Sequence, residues 1–403
     1  MKVAIMGGGA AGFFSAMAVK ENFPDSQVFI FEKSQKLLSK VKVSGGGRCN
    51  VTNGCTSISE LSKAYPRGGK QLKKALAVFN TRHTMEWFES RGVSLYTQED
   101  GRVFPTSNNS QTIIDLFMNE VKRLGIEVKM GSTVTSISPK NDKLELTFGE
   151  NDIPQIFEKV IVASGGSPKR AGFSWLEELG HKIEEPVPSL FTFNIPKHPI
   201  TELMGVVAEN ALVNIQGTKL RAAGPLLVTH WGMSGPAILK LSAFGARALQ
   251  EMKYDFNVQV NWVGEANNER VLEGLQELVE EHSNKLLSKV KPFSLPDRMW
   301  QYLLFKCEFP STKKWNELGK KGLNKMVNML TNDIYPVKGK TTFKEEFVTC
   351  GGISLESVDF KTMKSNVLPH LYFAGEILNI DGVTGGYNFQ AAWTTAFIAA
   401  KLK

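Results

Sequence analysis

A glycine-rich turn near the N-terminus constrains the fold of this chain more than any other feature. A short apolar run is followed at once by Gly7, Gly9 and Gly12, and then by a pattern typical of a helix. The first glycine permits a tight turn, the second lets the backbone approach a diphosphate, and the third lets strand and helix pack closely. The helix begins at Ala10 and Ala11, whose free N–H groups favour bound phosphate. The pattern predicts a dinucleotide-binding strand-turn-helix.

An acidic residue at the end of the second predicted strand, Gln27–Glu32, supports this interpretation. Glu32 lies about twenty residues beyond Gly12, the spacing of the acidic residue in this fingerprint. Its carboxylate can accept hydrogen bonds from ribose hydroxyls, and Lys33 beside it is a further candidate for cofactor binding. These residues leave both FAD and NAD open.

Three further glycine-rich segments are candidates for the rest of a cofactor site. One contains three consecutive glycines, which expose backbone, and an arginine that can bind phosphate or carboxylate through two hydrogen bonds. Another follows the predicted strand Lys159–Ser164, and the third precedes the predicted final helix Phe389–Leu402. Because the chain has one complete fingerprint, a single long cofactor such as FAD suits this span. The candidate residues are Ser44, Gly45, Gly46, Gly47, Arg48, Cys49, Asn50, Ala163, Ser164, Gly165, Gly375, Glu376, Asp381, Gly385, Gly386, Tyr387 and Asn388.

The glycines before the final helix have two interpretations. Gly385 and Gly386 can let the backbone lie against the flavin ring, with the positive end of the helix stabilising the negative charge of reduced flavin. In that case Gly386→Asp should lower the flavin reduction potential, because a carboxylate and a Cβ atom would intrude where the anion forms. Alternatively, both glycines serve only a tight turn.

The order of predicted elements indicates an α/β fold of the Rossmann type, interrupted by an inserted module. The first third alternates strands and helices, and short strands over Ile126–Met130, Val134–Ser138 and Lys143–Phe148 are expected to form a small meander. The inserted module has no phosphate-type glycine loop. We predict a discontinuous FAD-binding domain over 1–188 and 346–403, with an insert over 189–345. Within the insert, helices are predicted over Asn267–Val290, Leu295–Phe305 and Trp315–Leu330.

Composition excludes some classes of protein and leaves others open. The 42% hydrophobic and 22% charged residues are ordinary for a folded globular protein. We find no signal peptide, and the four cysteines form neither a CxxC pair nor zinc spacing, so we expect no metal and a cytoplasmic location. The net charge of +8 is compatible with anionic cofactors and with nucleic acid. The basic residues of the insert are interrupted by acidic and apolar ones, as on a solvated helix face, so a nucleic-acid partner is disfavoured.

No catalytic acid or base stands out. His230 and Trp231 precede a predicted helix and either line a substrate cavity at the domain junction or simply pack there. Cys49 is either a redox thiol facing flavin or an inert apolar residue, and we favour the inert interpretation.

Three longer stretches carry a more specific resemblance. SGGGRCNVTN, THWGMSGPAILKLS and GEILNIDGVTGGYNFQAAW resemble those of the bacterial FAD-dependent flavoproteins that include aminoacetone oxidase and the bile-acid dehydroreductases. The resemblance spans essentially the whole chain. It implies a glutathione-reductase-like FAD domain with an inserted β-barrel and helical module. It also implies FAD contacts at the positions matching Gly7 to Gly12, Glu32, Val134, Gly165 and the loop from Asp381 to Asn388.

We therefore expect an FAD-dependent oxidoreductase that transfers hydride between flavin N5 and a small-molecule substrate. The resemblance suggests NAD(P)H or oxygen as the redox partner and leaves the substrate open. Two rival hypotheses stay open, an NAD-only dehydrogenase and an RNA-binding flavoprotein that uses its basic insert.

Overall fold

The chain divides into two compact units. The structure is a computed structural model that describes residues 1–149, 153–341 and 348–403. Of these residues, the first unit holds 1–189 and 348–403, and the second, here called the insert, holds 190–341. The expected junction at 345–346 lies outside the described residues.

Five parallel strands form the central sheet of the first unit. Their order is Leu371–Phe373, Lys159–Val162, Lys2–Met6, Gln27–Glu32 and Glu127–Met130. Lys364–Ser365 and Val358–Asp359 extend one edge in antiparallel fashion. The inner strands are continuous apolar runs because helices cover both faces of a parallel sheet. This order places the carboxyl ends of the first, second and last parallel strands at the same edge.

The helices of the first unit include two that are buried along most of their length. The first and last helices pack against each other, and the rings of Phe14 and Trp393 lie 5.5 Å apart between their centroids. Both sequences are apolar on nearly all sides, as expected for helices that are surrounded by protein. The helices are Ala10–Asn22, Ser39–Gly47, Ile58–Lys63, Gly69–Leu76, Thr81–Glu89, Gln111–Arg123, Ser174–Glu178 and Tyr387–Ala399.

Three small sheets complete this unit. One joins Thr52–Asn53, Arg102–Pro105 and Leu95–Thr97; the second joins Ser136–Lys140, Lys143–Thr147 and Gln155–Phe157; and Ile183–Ser189 pairs with Val348–Ile353. The prediction that Ile126–Met130 belongs to the meander is wrong, because this strand pairs in parallel with Gln27–Glu32. The third meander strand, Gln155–Phe157, has only three residues and gave no detectable pattern.

The insert contains an antiparallel β-barrel, as expected from the resemblance. The strand order is Asp333–Lys338, Asp255–Asn261, Val207–Ile215, Arg221–Thr229, Gly232–Ser234, Thr192–Asn194 and Lys340–Thr341. The two outermost strands are one chain segment that bends at Gly339, where φ is +94°. The N–H group of Gly339 donates to Tyr254 and its carbonyl accepts from Asn194, so this residue closes the barrel.

Five helices accompany the barrel in the described part of the insert. They are Pro236–Phe244, Ala246–Glu251, Asn268–Glu281, Asp297–Lys306 and Gly319–Thr331. The helix predicted over Asn267–Val290 ends nine residues early, because the backbone leaves helical geometry at His282. These elements enclose their own apolar core, which contains Trp262, Trp300 and Trp315. Among the residues that the structure describes, no helix is both long and apolar enough to cross a membrane.

Candidate active site

The three glycines of the first turn have different surroundings. A Cβ atom on Gly12 would overlap the carbonyl oxygen of Gly7, and one on Gly7 would overlap that of Ala163. Gly7 also has φ of +115°. Gly9, in contrast, has no described atom within 4 Å of the position that a Cβ atom would take. Gly7 and Gly12 are therefore required by packing, and Gly9 leaves space for a ligand.

The first helix begins without a side-chain cap among the described residues. Gly9 is the N-cap residue, no acidic side chain lies in the first turn, and the helix proper begins at Ala10 and Ala11. The first N–H groups of a helix lack intrahelical partners, and the helix dipole adds partial positive charge at this end. This helix start is suited to a diphosphate.

Glu32 binds backbone N–H groups of the protein, in addition to its expected contact with ribose. Its two carboxylate oxygens accept hydrogen bonds from the N–H groups of Gly8, at 2.7 Å, and Ser34, at 2.8 Å. The side chain is half-buried, and a carboxylate has further lone pairs that can accept ribose hydroxyls. Lys33 is exposed, and Val134 is half-buried just beyond Ser132, whose N–H group donates to the backbone carbonyl of Glu32.

The central glycine segment forms a left-handed turn at the end of the helix Ser39–Gly47. Gly45, Gly46 and Gly47 have φ values of +59°, +68° and +81°. Gly46 and Gly47 have open space where a Cβ atom would lie, as judged from the described residues. Backbone N–H groups in such a turn can bind a ligand closely, and Ser44 begins the turn with an extended backbone.

Arg48 and Asn50 hold this segment against a neighbouring strand. The Nε atom of Arg48 donates to the carbonyl of Gly45, at 3.1 Å, and its guanidinium lies 4.0 Å from the centroid of the Phe104 ring. The side-chain oxygen of Asn50 accepts from the N–H group of Val103, at 3.3 Å. These contacts fix the shape of the glycine turn.

Cys49 lies in the core. It is fully buried, and burial raises the pKa of its thiol to about 12, although a hydrogen bond with Ser44 acts in the opposite direction. A thiol with such a pKa is not a nucleophile at neutral pH. The structure therefore gives Cys49 a packing role in place of the predicted cofactor contact.

The strand Lys159–Val162 delivers a second pair of glycines to the same edge of the sheet. The N–H group of Ala163 donates to the carbonyl of Met6, at 2.8 Å, while Ser164 is exposed. Gly165 has φ of +77° and open space at its Cβ position among the described atoms. Gly165 thus leaves room for a ligand, as Gly9, Gly46 and Gly47 do.

Gly375 and Glu376 follow the last parallel strand. A Cβ atom on Gly375 would lie 2.8 Å from that of Ala11, so glycine lets this loop approach the first helix. Glu376 accepts the N–H group of Thr349, at 2.9 Å, and forms an ion pair with Lys40, whose Nζ lies 2.5 Å from the carboxylate. Lys40 was not among the predicted site residues, because a lone lysine outside a glycine motif carries no signal.

Asp381 is a buried structural acid. It is fully buried, forms a two-pronged ion pair with Arg67, and accepts a hydrogen bond from the hydroxyl of Ser189, at 2.7 Å. Burial raises the pKa of this carboxyl group, while Arg67 acts in the opposite direction. The carboxylate is engaged inside the protein, so we assign it the role of fixing the loop and not a direct contact with the cofactor.

Packing explains the glycines before the last helix. A Cβ atom on Gly386 would overlap the carbonyl oxygen of Thr52, and φ there is +87°. The side-chain oxygen of Asn388 accepts a hydrogen bond from the N–H group of Gly382, and its side-chain nitrogen donates to the Gly382 carbonyl. The backbone carbonyl of Tyr387 accepts a hydrogen bond from the hydroxyl of Tyr65. The expectation that a side chain at position 386 points toward the flavin is wrong, because that direction is filled by backbone.

Gly385 completes this loop. Its φ is +119°, and its carbonyl accepts a hydrogen bond from the side-chain amide of Asn53, at 3.0 Å. The helix that follows has no side-chain cap within the described residues. Its first N–H groups are therefore available to a ligand.

His230 and Trp231 lie in the insert, at the turn between two barrel strands. His230 is exposed and Trp231 half-buried, their ring centroids lie 4.2 Å apart, and the Trp231 indole donates to the hydroxyl of Thr192. Their assignment to a substrate cavity stays a prediction.

Comparison with known proteins decides the family. The protein-family model described as the HI0933-like protein Rossmann domain matches residues 1–402 of this chain. The chain belongs to this HI0933-like family. It is an FAD-dependent oxidoreductase, and the hypothesis of an NAD-only dehydrogenase is wrong.

HI0933-like relatives with assigned activities cover the whole chain. A 3-dehydro-bile acid delta(4,6)-reductase from Clostridium scindens is 25% identical over 99% of this chain and 98% of its own length. A ribosomal RNA dihydrouridine synthase from Escherichia coli is 27% identical over 98% of this chain and 96% of its own. In fold, the chain is similar to 3-ketosteroid delta1-dehydrogenase from Sterolibacterium denitrificans, with a TM-score of 0.52, 11% identity and coverage of 99% and 98%.

The first unit of this HI0933-like protein fits FAD. Gly9, Gly46, Gly47 and Gly165 all leave open the space that a Cβ atom would fill, judged against the described atoms. The uncapped start of the first helix can hold the diphosphate, and Glu32 can hold the adenosine ribose. Contacts of the individual residues with FAD stay predictions.

Proposed function

We propose that this protein transfers hydride between FAD N5 and a carbon–carbon double bond that is conjugated to a carbonyl group. One observation carries the proposal. Relatives that match almost the whole chain are named for reducing such a bond, in a 3-dehydro-bile acid and in the uracil ring of uridine. When bound, FAD supplies the hydride chemistry.

The chemistry of such a bond defines what the protein has to provide. Hydride adds to the carbon far from the carbonyl, negative charge moves onto the carbonyl oxygen, and a proton adds to the neighbouring carbon. Reduced FAD, when bound, would supply the two electrons that reduce the double bond. The N–H groups at the start of the last helix favour negative charge, so we propose that they stabilise the reduced cofactor before the transfer.

The proposed electron source is NAD(P)H, with oxygen as the alternative electron acceptor. The chain has one complete dinucleotide fingerprint, so the nicotinamide would bind transiently and leave after reducing FAD. Anaerobic mixing of the FAD-loaded protein with NADH or NADPH tests this step. Rapid bleaching of the flavin absorption supports the proposal, and reduction by neither nucleotide contradicts it.

The substrate is a small molecule in our first proposal and a uridine of ribosomal RNA in the second. The second is favoured by relatives named as ribosomal RNA dihydrouridine synthases from Escherichia coli and Haemophilus influenzae. The comparisons give no support to the separate idea that the insert is an RNA-binding module.

A single experiment tests both substrates. The protein is photoreduced without oxygen and mixed with a 3-oxo-Δ4 steroid, with an unmodified ribosomal RNA transcript, or with free uridine as a control. The expected result is fast flavin reoxidation by one of the first two, with mass spectrometry showing two added hydrogens in that compound. Reoxidation by none of them contradicts the proposed reaction.

A further inference from the structure

An ion pair lies beside the start of the first helix. The Nζ atom of Lys40 lies 2.5 Å from Oε2 of Glu376, and the second oxygen of Glu376 accepts the N–H group of Thr349. The Lys40 side chain is 49% exposed and that of Glu376 is 20% exposed. The pair is therefore accessible and can exchange partners.

The chain segments that carry the two partners are both attached near the start of this helix. On one side, the N–H group of Leu38 donates to the carbonyl of Gly8, at 2.9 Å. On the other side, Gly375 packs against Ala11. Glu376 directly follows Gly375 and Lys40 lies two residues after Leu38, so the ion pair connects the two segments near the helix start.

The positive charge around the helix start attracts anions to the position of the ion pair. The first turn contains no acidic residue and no side-chain cap within the described chain, so its first N–H groups keep their partial positive charge, although the Glu32 carboxylate binds the preceding N–H group of Gly8. An entering diphosphate competes with Glu376 for the ammonium group of Lys40. Charge-assisted hydrogen bonds to phosphate are among the stronger polar contacts in proteins.

We propose that Lys40 is a ligand of the FAD diphosphate and that Glu376 holds its ammonium group in place until the cofactor enters. The ion pair thus positions one cofactor contact in advance, and the cofactor itself breaks it.

Binding of ADP, which carries the same diphosphate, to the FAD-stripped full-length protein tests this proposal by calorimetry. We expect Lys40→Gln to weaken ADP binding about tenfold, or roughly 1.4 kcal/mol, and to leave adenosine binding unchanged. Lys40→Arg should restore most of the ADP affinity. Lys42→Gln, at an exposed lysine two residues away, is the matched control and should bind ADP like the parent.

The variant Glu376→Gln distinguishes two roles of the ion pair: supplying Lys40 as a diphosphate ligand, or only stabilising the fold. Because this change weakens one competitor for Lys40, we expect ADP affinity equal to or above that of the parent. Unfolding free energies of all variants show whether each is folded. The proposal is overturned if Lys40→Gln binds ADP like the parent, or if Lys40→Gln and Glu376→Gln weaken ADP binding alike.

Discussion

The first and last helices of the FAD-binding unit both begin directly after glycines, and neither has a side-chain cap in the described structure. At the first helix, Gly9 leaves open space where a Cβ atom would lie. At the last helix, the same position of Gly386 is filled by the carbonyl of Thr52. Backbone packing thus requires glycine at the last helix, whereas at the first helix glycine leaves a space that we assign to the cofactor. The direction of the missing Cβ atom distinguishes the two cases.

The largest effect is expected at the last helix. Gly386→Ala places a side chain at positive φ and against the Thr52 carbonyl, and we expect it to lower the free energy of unfolding by about 3 kcal/mol. Chemical denaturation of the stripped and FAD-loaded protein measures this loss. Unchanged stability together with lost FAD affinity would place Gly386 in the same class as Gly9.

Glu32→Ala should affect both stability and binding. It removes the acceptors of the Gly8 and Ser34 N–H groups, and we expect a loss of about 2 kcal/mol in unfolding free energy together with weaker FAD binding. Glu32→Gln is the control, because it keeps one acceptor oxygen and loses the charge. Full retention of FAD by the alanine variant after extensive dialysis would remove Glu32 from the site.

Gly9→Ala should separate binding from folding. Its φ of −96° suits alanine and open space surrounds the new methyl group, so the only expected cost is that of alanine at an N-cap, and the unfolding free energy of the stripped protein should fall by about 1 kcal/mol or less. The methyl group enters the diphosphate space, and we expect FAD affinity to fall about tenfold. Fluorescence titration of the stripped protein with FAD measures it, and unaltered affinity would end the comparison between the two helix starts.

The smallest expected effect is on the alkylation of Cys49, which follows the central glycine segment. Since burial raises the pKa of Cys49 to about 12, this thiol should resist alkylation in the native protein up to about pH 9. Cys55, which is half-buried, should react first. The stability linked to the protonated Cys49 is present below the ordinary thiol pKa and is lost as the pH rises toward 12. Mass spectrometry of the labelled peptides checks this order, and early labelling of Cys49 would contradict its burial.

The elements of the nucleotide-binding fold were predictable, because their periodicity is strong and local. The strands Lys2–Met6 and Gln27–Glu32 have the expected bounds, since each is an apolar run that ends at a glycine or an acidic residue. The helix expected over Asn267–Val290 was too long, because its amphipathic pattern continues past the point where the backbone turns.

The candidate site was only partly predictable for a different reason. A glycine in a sequence does not show which neighbour its missing side chain would meet, so Gly9 and Gly386 look alike until the fold is known. Asp381 and Arg67 are far apart in the chain, and their ion pair depends on tertiary structure. The same holds for Lys40 and Glu376.

A crystal structure of the FAD-loaded protein tests the central claim most directly. We predict that diphosphate oxygens lie about 3 Å from the N–H groups of Ala10 and Ala11, with the space at Gly9 filled by the cofactor. The flavin should lie at the start of the last helix and should not contact Gly386 on the side where a Cβ atom would meet the Thr52 carbonyl. A diphosphate bound at the last helix, or at Gly45–Gly47 with Gly9 left open, would contradict the account.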